Sequence, residues 1–250
     1  MDNKIATVSN QKTNEILKTG SYRVPLMEYK PGFLEAEDIT YKLSIEERRV
    51  ELITQKLTLD NIYDDQNTFY PYFTPIIAAS NKQQVFYMAT PYGKTIYQMS
   101  LGSNNWEVFM EDVQLVGLNK PNGVPFSEQN KNINPMFGMT EKEMIYVESN
   151  GRILRIFTSE NRLAIVHKTS FPEKNIPNTS KNIYSLSKKY QSIYLSVFEG
   201  KKKIFESDIS QYPNWKNMLM LNDSTFLMEK VPEEDIEPNE TTFELLTITP

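Results

Sequence analysis

Few kinds of side chain in this sequence can do chemistry. Among 250 residues there is no cysteine and one histidine, His167. Thiol nucleophiles, disulfides and thiolate metal sites are therefore excluded, and a single imidazole cannot build a histidine metal cluster within one chain. Carboxylates remain. Two of them flanking a glycosidic bond would supply a general acid together with a base or nucleophile. Asp38, Asp60, Asp64, Asp65, Glu111, Asp112, Glu148 and Asp208 are the candidates, and none sits in a diagnostic motif. No catalytic residue and no cofactor is assigned.

Asp60, Asp64, Asp65 and Asn67 form an oxygen-rich loop of the kind that binds Ca²⁺, but the turn glycine and closing glutamate of an EF-hand are missing. A solvated turn is the simpler reading, so no metal is expected. Glu233-Glu234-Asp235 is likewise read as a solvated charge run, and His167, at a strand end without a sequence partner, as a structural histidine. Trp106 and Trp215 are sugar-stacking candidates, although their place in a repeat favours packing. Lys181, Lys188, Lys189 and Lys201-Lys202-Lys203 read as a charged edge that blocks strand-to-strand aggregation. Four aromatics in five residues, Phe69, Tyr70, Tyr72 and Phe73 around Pro71, are candidates for partner contact or for packing between units.

Any such residues would be positioned by strands. Val85-Phe86 is followed eleven positions later by Ile96-Tyr97, Ile145-Tyr146 by Ile156-Phe157, and Ile193-Tyr194 by Ile204-Phe205. Each pair brackets a glycine, Gly93, Gly151 or Gly200, and Asn150-Gly151 is a strong type I′ hairpin signal. Further apolar runs precede each pair, at Pro75–Ala79, Pro135–Met139 and Asn182–Leu186. Others follow, at Trp106, Arg162–Val166 and Trp215. Weaker pairs flank these units, Ile39–Tyr41 with Val50–Leu52 and Thr225–Leu227 with Thr242–Glu244. The expected fold is all-β: repeated four-stranded antiparallel meanders forming a β-propeller of about five blades over residues 21–250. The last unit lacks an obvious fourth strand, which Tyr22–Met27 could supply. Residues 1–20 read as a polar arm, with Ile5, Val8, Ile16 and Leu17 too sparse for a core strand but suited to burial on a partner.

Ile96–Trp106, and Ile204–Asp208 leading to Trp215, resemble the Asp-box hairpin of sialidase-like propellers. The first stretch lacks the Asp of that pattern, and the second lacks its Gly. The resemblance implies blade architecture and carries no catalytic residue across. Sialidase-like enzymes also need clustered arginines, whereas Arg23, Arg48, Arg49, Arg152, Arg155 and Arg162 are scattered along this chain.

The net charge of −5 argues against binding to a nucleic-acid backbone. No apolar run suggests a signal peptide or membrane insertion, so a cytoplasmic or virion location is expected. The expected role is a non-catalytic structural or interaction module that meets other protein subunits. The Asn/Lys/Ile/Tyr-rich composition suits a bacteriophage tail or virion protein. Alternatives are a carbohydrate-binding or carbohydrate-cleaving propeller, and a cytoplasmic scaffold.

Overall fold

A computed structural model of the chain describes five N-terminal strands and then residues 75–119, 121–125, 140–212, 215–229 and 242–249. The N-terminal strands are β1 (Ile5–Ser9), β2 (Asn14–Thr19), β3 (Thr40–Ser44), β4 (Arg49–Ile53) and β5 (Thr68–Phe69). Sheet β1–β4 is an antiparallel meander in sequence order. A second meander comprises β6 (Ile76–Ser80), β7 (Val85–Ala89), β8 (Ile96–Ser100) and β9 (Glu107–Met110). β10 (Val124–Pro125) pairs with β5. A third meander holds β11 (Arg152–Thr158), β12 (Arg162–Lys168), β13 (Ile193–Glu199) and β14 (Lys202–Asp208). The last sheet has three strands, β15 (Leu219–Met220), β16 (Thr225–Glu229) and β17 (Phe243–Thr247). Two helices lie beside the third sheet, α1 (Glu141–Ser149) before it and α2 (Ile183–Tyr190) between β12 and β13. The fold is all-β and antiparallel, as expected.

The sheets pack face to face. Alternate residues of a strand point to opposite faces, and here both sets are apolar. Ile76, Ala78, Tyr87, Ala89 and Ile96 of the second sheet meet Ile153, Ile156, Leu163, Ile165 and Phe198 of the third. The opposite face of the third sheet, including Phe157, Ala164, Val166, Leu195 and Val197, meets Phe226, Met228 and Ile248 of the last. Strand β12 is buried on both faces, which is why Leu163-Ala164-Ile165-Val166 runs apolar without alternation. The other face of the second sheet, with Phe86, Met88 and Met99, is also buried, and β1 runs alongside β6 and β7. The first strands of successive sheets are neighbours: β1 with β6, β6 with β11, and β11 with β15. Asp223 fastens the last joint. It accepts from Asn161 N–H at 3.0 Å and from Ser159, while its own carbonyl accepts from Arg162 Nη1 at 2.9 Å.

Several expectations need correction. The segment read as a polar arm contains β1 and β2, paired with each other and, through β2, with β3. Ile145-Tyr146 lies in α1 rather than in a strand. The helix starts at a capping box: Thr140 Oγ1 accepts from Glu143 N–H, and the Glu143 carboxylate accepts from Thr140 N–H. That Thr-x-x-Glu signature stands in the sequence and outweighs the eleven-residue offset. Ile183–Leu186 is also helical, in α2, with Lys188 and Lys189 favourably placed in its last turn. The third meander is therefore assembled from Ile156, Arg162–Val166, Ile193 and Ile204, two units of the expected repeat merged into one sheet. Val85 with Ile96, Ile193 with Ile204, and the flanking pairs do lie on adjacent paired strands. Pro135–Met139 and Tyr22–Met27 lie outside the described residues.

Gly200 turns the β13–β14 hairpin at φ +57, as its spacing suggests. Gly151 does not turn a hairpin. It joins α1 to β11, where a Cβ would stand 2.7 Å from the Ser170 backbone nitrogen and 2.9 Å from the Lys168 carbonyl oxygen. Both neighbours are backbone and cannot swing aside. Gly151→Ala is therefore expected to cost about 1–3 kcal/mol through forced backbone shifts, measurable by denaturant unfolding. Gly200→Ala meets open space and bears only its left-handed strain, about 1 kcal/mol.

Candidate functional site

Four surface or polar features could carry function, and each follows from how the sheets meet. The first is a groove of about 560 Å³ where the outer strand β9 diverges from the β13–β14 hairpin. Phe109, Met110, Val113 and Phe198 line it, with Glu111, Asp112, Gln114, Lys201 and Lys203 around them. Packed sheets that splay toward their outer strands leave such a wedge. Lys203 is internally engaged: its Nζ donates to Gln114 O and to the Glu206 carboxylate, both at 2.8 Å. Lys201 sits 6.0 Å from the Phe109 ring centre.

Behind the groove is a partly buried polar network. Glu206 accepts from Ser196 Oγ at 2.8 Å and from Val116 N–H at 3.3 Å. Burial works to raise its carboxyl pKa, but the bonds from Lys203, Ser196 and Val116 outweigh that and lower it. His167 is fully buried and stacked on Tyr194 at 5.6 Å. Its Nε2 lies 2.9 Å from the Val116 carbonyl, which can only accept, so Nε2 carries the proton. Nδ1 has no hydrogen-bond partner. Burial lowers the imidazole pKa, and the bond to Val116 and the charge of Glu206 only partly oppose it. His167 is thus a neutral side chain packed into the sheet, in keeping with a structural role.

The third meander also buries a cation. Lys168 Nζ reaches the Glu148 carbonyl at 3.2 Å and its carboxylate at 3.3 Å, with Arg152 4.0 Å from the same carboxylate. Burial, then the Arg152 charge, lower the Lys168 ammonium from 10.5 to about 8, and Glu148 only partly restores it. The unfolded chain binds the extra proton between those two values, so stability rises with pH across this window. Between pH 8 and 10, wild-type unfolding free energy is expected to increase by an amount on the order of 2–3 kcal/mol relative to Lys168→Met. Denaturant titrations at the two pH values check this.

The remaining feature is apolar and exposed. In the last sheet Leu219 pairs with Leu227, and Leu227 with Leu245, so the three leucines form one row across the strands. Phe243, two residues before Leu245, shares that face, and Leu221 continues it past β15. Leu219, Leu221, Phe243 and Leu245 are 48–59% exposed, while Phe226 and Met228 on the inner face are at most 1% exposed. Contiguous apolar surface of this kind marks a contact site more often than a bare surface.

Few of the residues expected at a site come together here. Ile5, Val8, Ile16 and Leu17 fall on β1 and β2, and Phe69 on β5, where the backbone alone is described. Tyr70, Tyr72, Phe73, Asp38, Asp60, Asp64, Asp65 and Asn67 lie outside the described residues. Glu111 and Asp112 share the groove, Glu148 holds Lys168, and Asp208 accepts from Ser210 N–H at 2.8 Å. Trp106 is buried, and Trp215 packs on the core between the third and last sheets. Among the described residues, no group of His, Asp or Glu is placed to hold a metal ion, and no helix is long and apolar enough to cross a membrane. The leucine row was not anticipated. Its sequence signal is Phe243-Glu244-Leu245-Leu246, where both alternating sets contain large apolar residues.

Fold and surface together define an all-β chain of antiparallel meander sheets packed face to face, with an apolar row exposed among the described residues of the last sheet. No family model and no curated protein matches the chain. It is similar to the solved structure of a member of the DUF4221 family from Bacteroides vulgatus, with a TM-score of 0.62 and 11% identity. That likeness covers 98% of this chain and 64% of the other, so this chain spans a little under two thirds of the length of that protein. At such identity the fold alone is shared. A second solved structure, Pyrococcus horikoshii acylaminoacyl peptidase, aligns with a TM-score of 0.42 and 9% identity over 98% of this chain and 31% of that one. A likeness that low supports no functional argument.

Proposed function

We propose that the chain is a non-catalytic interaction module whose sheets are the blades of a propeller-like fan, and that it acts within a larger protein assembly through the open face of its last sheet. The fan is supported by the adjacency of first strands β1, β6, β11 and β15, with sheets spreading from them. The observation that carries the functional reading is the row Leu219, Leu227 and Leu245, flanked by Leu221 and Phe243. Leaving large apolar side chains half exposed costs roughly 25 cal/mol for each Å² that a partner would cover. A carbohydrate-binding role has less support, since buried Trp106 cannot present its ring to a sugar. The bacteriophage tail or virion setting rests on composition and adds no residue to the proposal.

The test is a Leu221→Glu/Leu245→Glu double variant. Both positions are more than half exposed, so thermal unfolding should stay close to wild type. In a native extract the variant should leave the high-mass fraction that wild type occupies on gradient sedimentation. A variant that sediments with the wild type would remove this reading.

A further inference from the structure

We infer that the cover on the open face is a second copy of this chain, docked by the same face about a twofold axis; this rests on the module reading above. Three observations lead there. The face continues an existing series of interfaces: second sheet on third, and third on last, each through apolar rows. A second copy presenting the same face would add one more aligned sheet-on-sheet layer of the type this chain already builds twice, with the usual spacing of about 10 Å. The contact is also self-compatible in charge. Leu219, Leu221, Leu227, Phe243 and Leu245 carry no charge, so two copies can meet without like-charge repulsion at the centre. Among the described strand positions of that face, the ionisable group is Glu229, at the end of β16 beside Phe243 in the register, which accepts from Asn217 Nδ2. Finally, a row crossing three strands at matched positions is a ridge that can lie against its own copy, which is what an isologous interface requires.

The absence of cysteine makes the test clean, because an introduced thiol reports on one position only. The purified full chain should sediment at equilibrium with the mass of a dimer at micromolar concentration, and Leu245→Glu should weaken that dimer at least tenfold. Leu245→Cys treated with a short bismaleimide should give a cross-linked dimer, whereas Glu173→Cys, exposed on the 3₁₀ turn after β12, should not. A chain that stays monomeric at all concentrations would overturn self-docking while leaving the module reading intact, with a different protein as the cover. A dimer that survives Leu245→Glu unchanged, or one that cross-links through Glu173→Cys instead, would overturn the placement at this face.

Discussion

A chain lacking residues 1–19 is expected to lose its cooperative unfolding transition. The truncation removes β1 and β2, which pair with each other and, through β2, with β3. What remains of the first sheet is the β3–β4 ribbon, and isolated two-stranded ribbons are at best marginally stable. The loss extends to the second sheet. Phe86, Met88 and Met99 are 0–1% exposed on the face flanked by β6 and β7, the strands that β1 runs beside. Uncovering large apolar side chains costs about 1.5–3 kcal/mol each at full exposure, and whole domains have a margin of only about 5–15 kcal/mol. Two or three such losses approach the whole margin. Far-UV and near-UV circular dichroism through a thermal scan would show it, as retained β signal with a broad or absent transition. A truncated chain with the wild-type midpoint would mean that the segment is a dispensable arm, as its polar composition first suggests.

The second large effect separates the two faces of the last sheet. Phe226 is fully buried, meets Phe157 edge-on at 6.4 Å between ring centres, and belongs to the core shared with the third sheet. Phe226→Ala should cost about 3–5 kcal/mol through lost burial and the residual cavity, or roughly 6–20 °C in Tm for a chain of this size. Leu245→Glu, one strand away on the opposite face, should fall within about 0.5 kcal/mol of wild type in the dissociated chain. Equal losses at the two positions would mean that the outer face is covered within the chain and is not a surface.

The sequence shows the strands more readily than their grouping. Where a short turn joins partners, as at Gly93 and Gly200, the eleven-residue offset finds the hairpins. Between Lys168 and Ile193 the chain inserts α2, so β12 and β13 are neighbours in the sheet but far apart in sequence. Offset counting therefore splits one sheet into two units. α1 is marked by the Thr140–Glu143 capping box, which hydrophobic spacing alone does not register. Gly151 shows why residue type is ambiguous: Asn150-Gly151 satisfies the hairpin pattern, yet the glycine is required there by the close approach of residues 168–170. The open face is the least legible feature. Thr225-Phe226-Leu227-Met228-Glu229 has apolar residues in both alternating sets, and only the packing of the third sheet against Phe226 and Met228 decides that Leu227 faces outward.

Whether the outer face of the last sheet is covered in the protein's native setting is measured most directly by thiol reactivity at Leu245→Cys, in a chain that has no other cysteine. Maleimide labelling should be slow in the native extract and should become fast when the chain is purified and diluted. The exposed control Glu173→Cys should label fast in both. Equal, fast labelling of Leu245→Cys in the native extract would contradict the account, because the face would then be bare where the protein works.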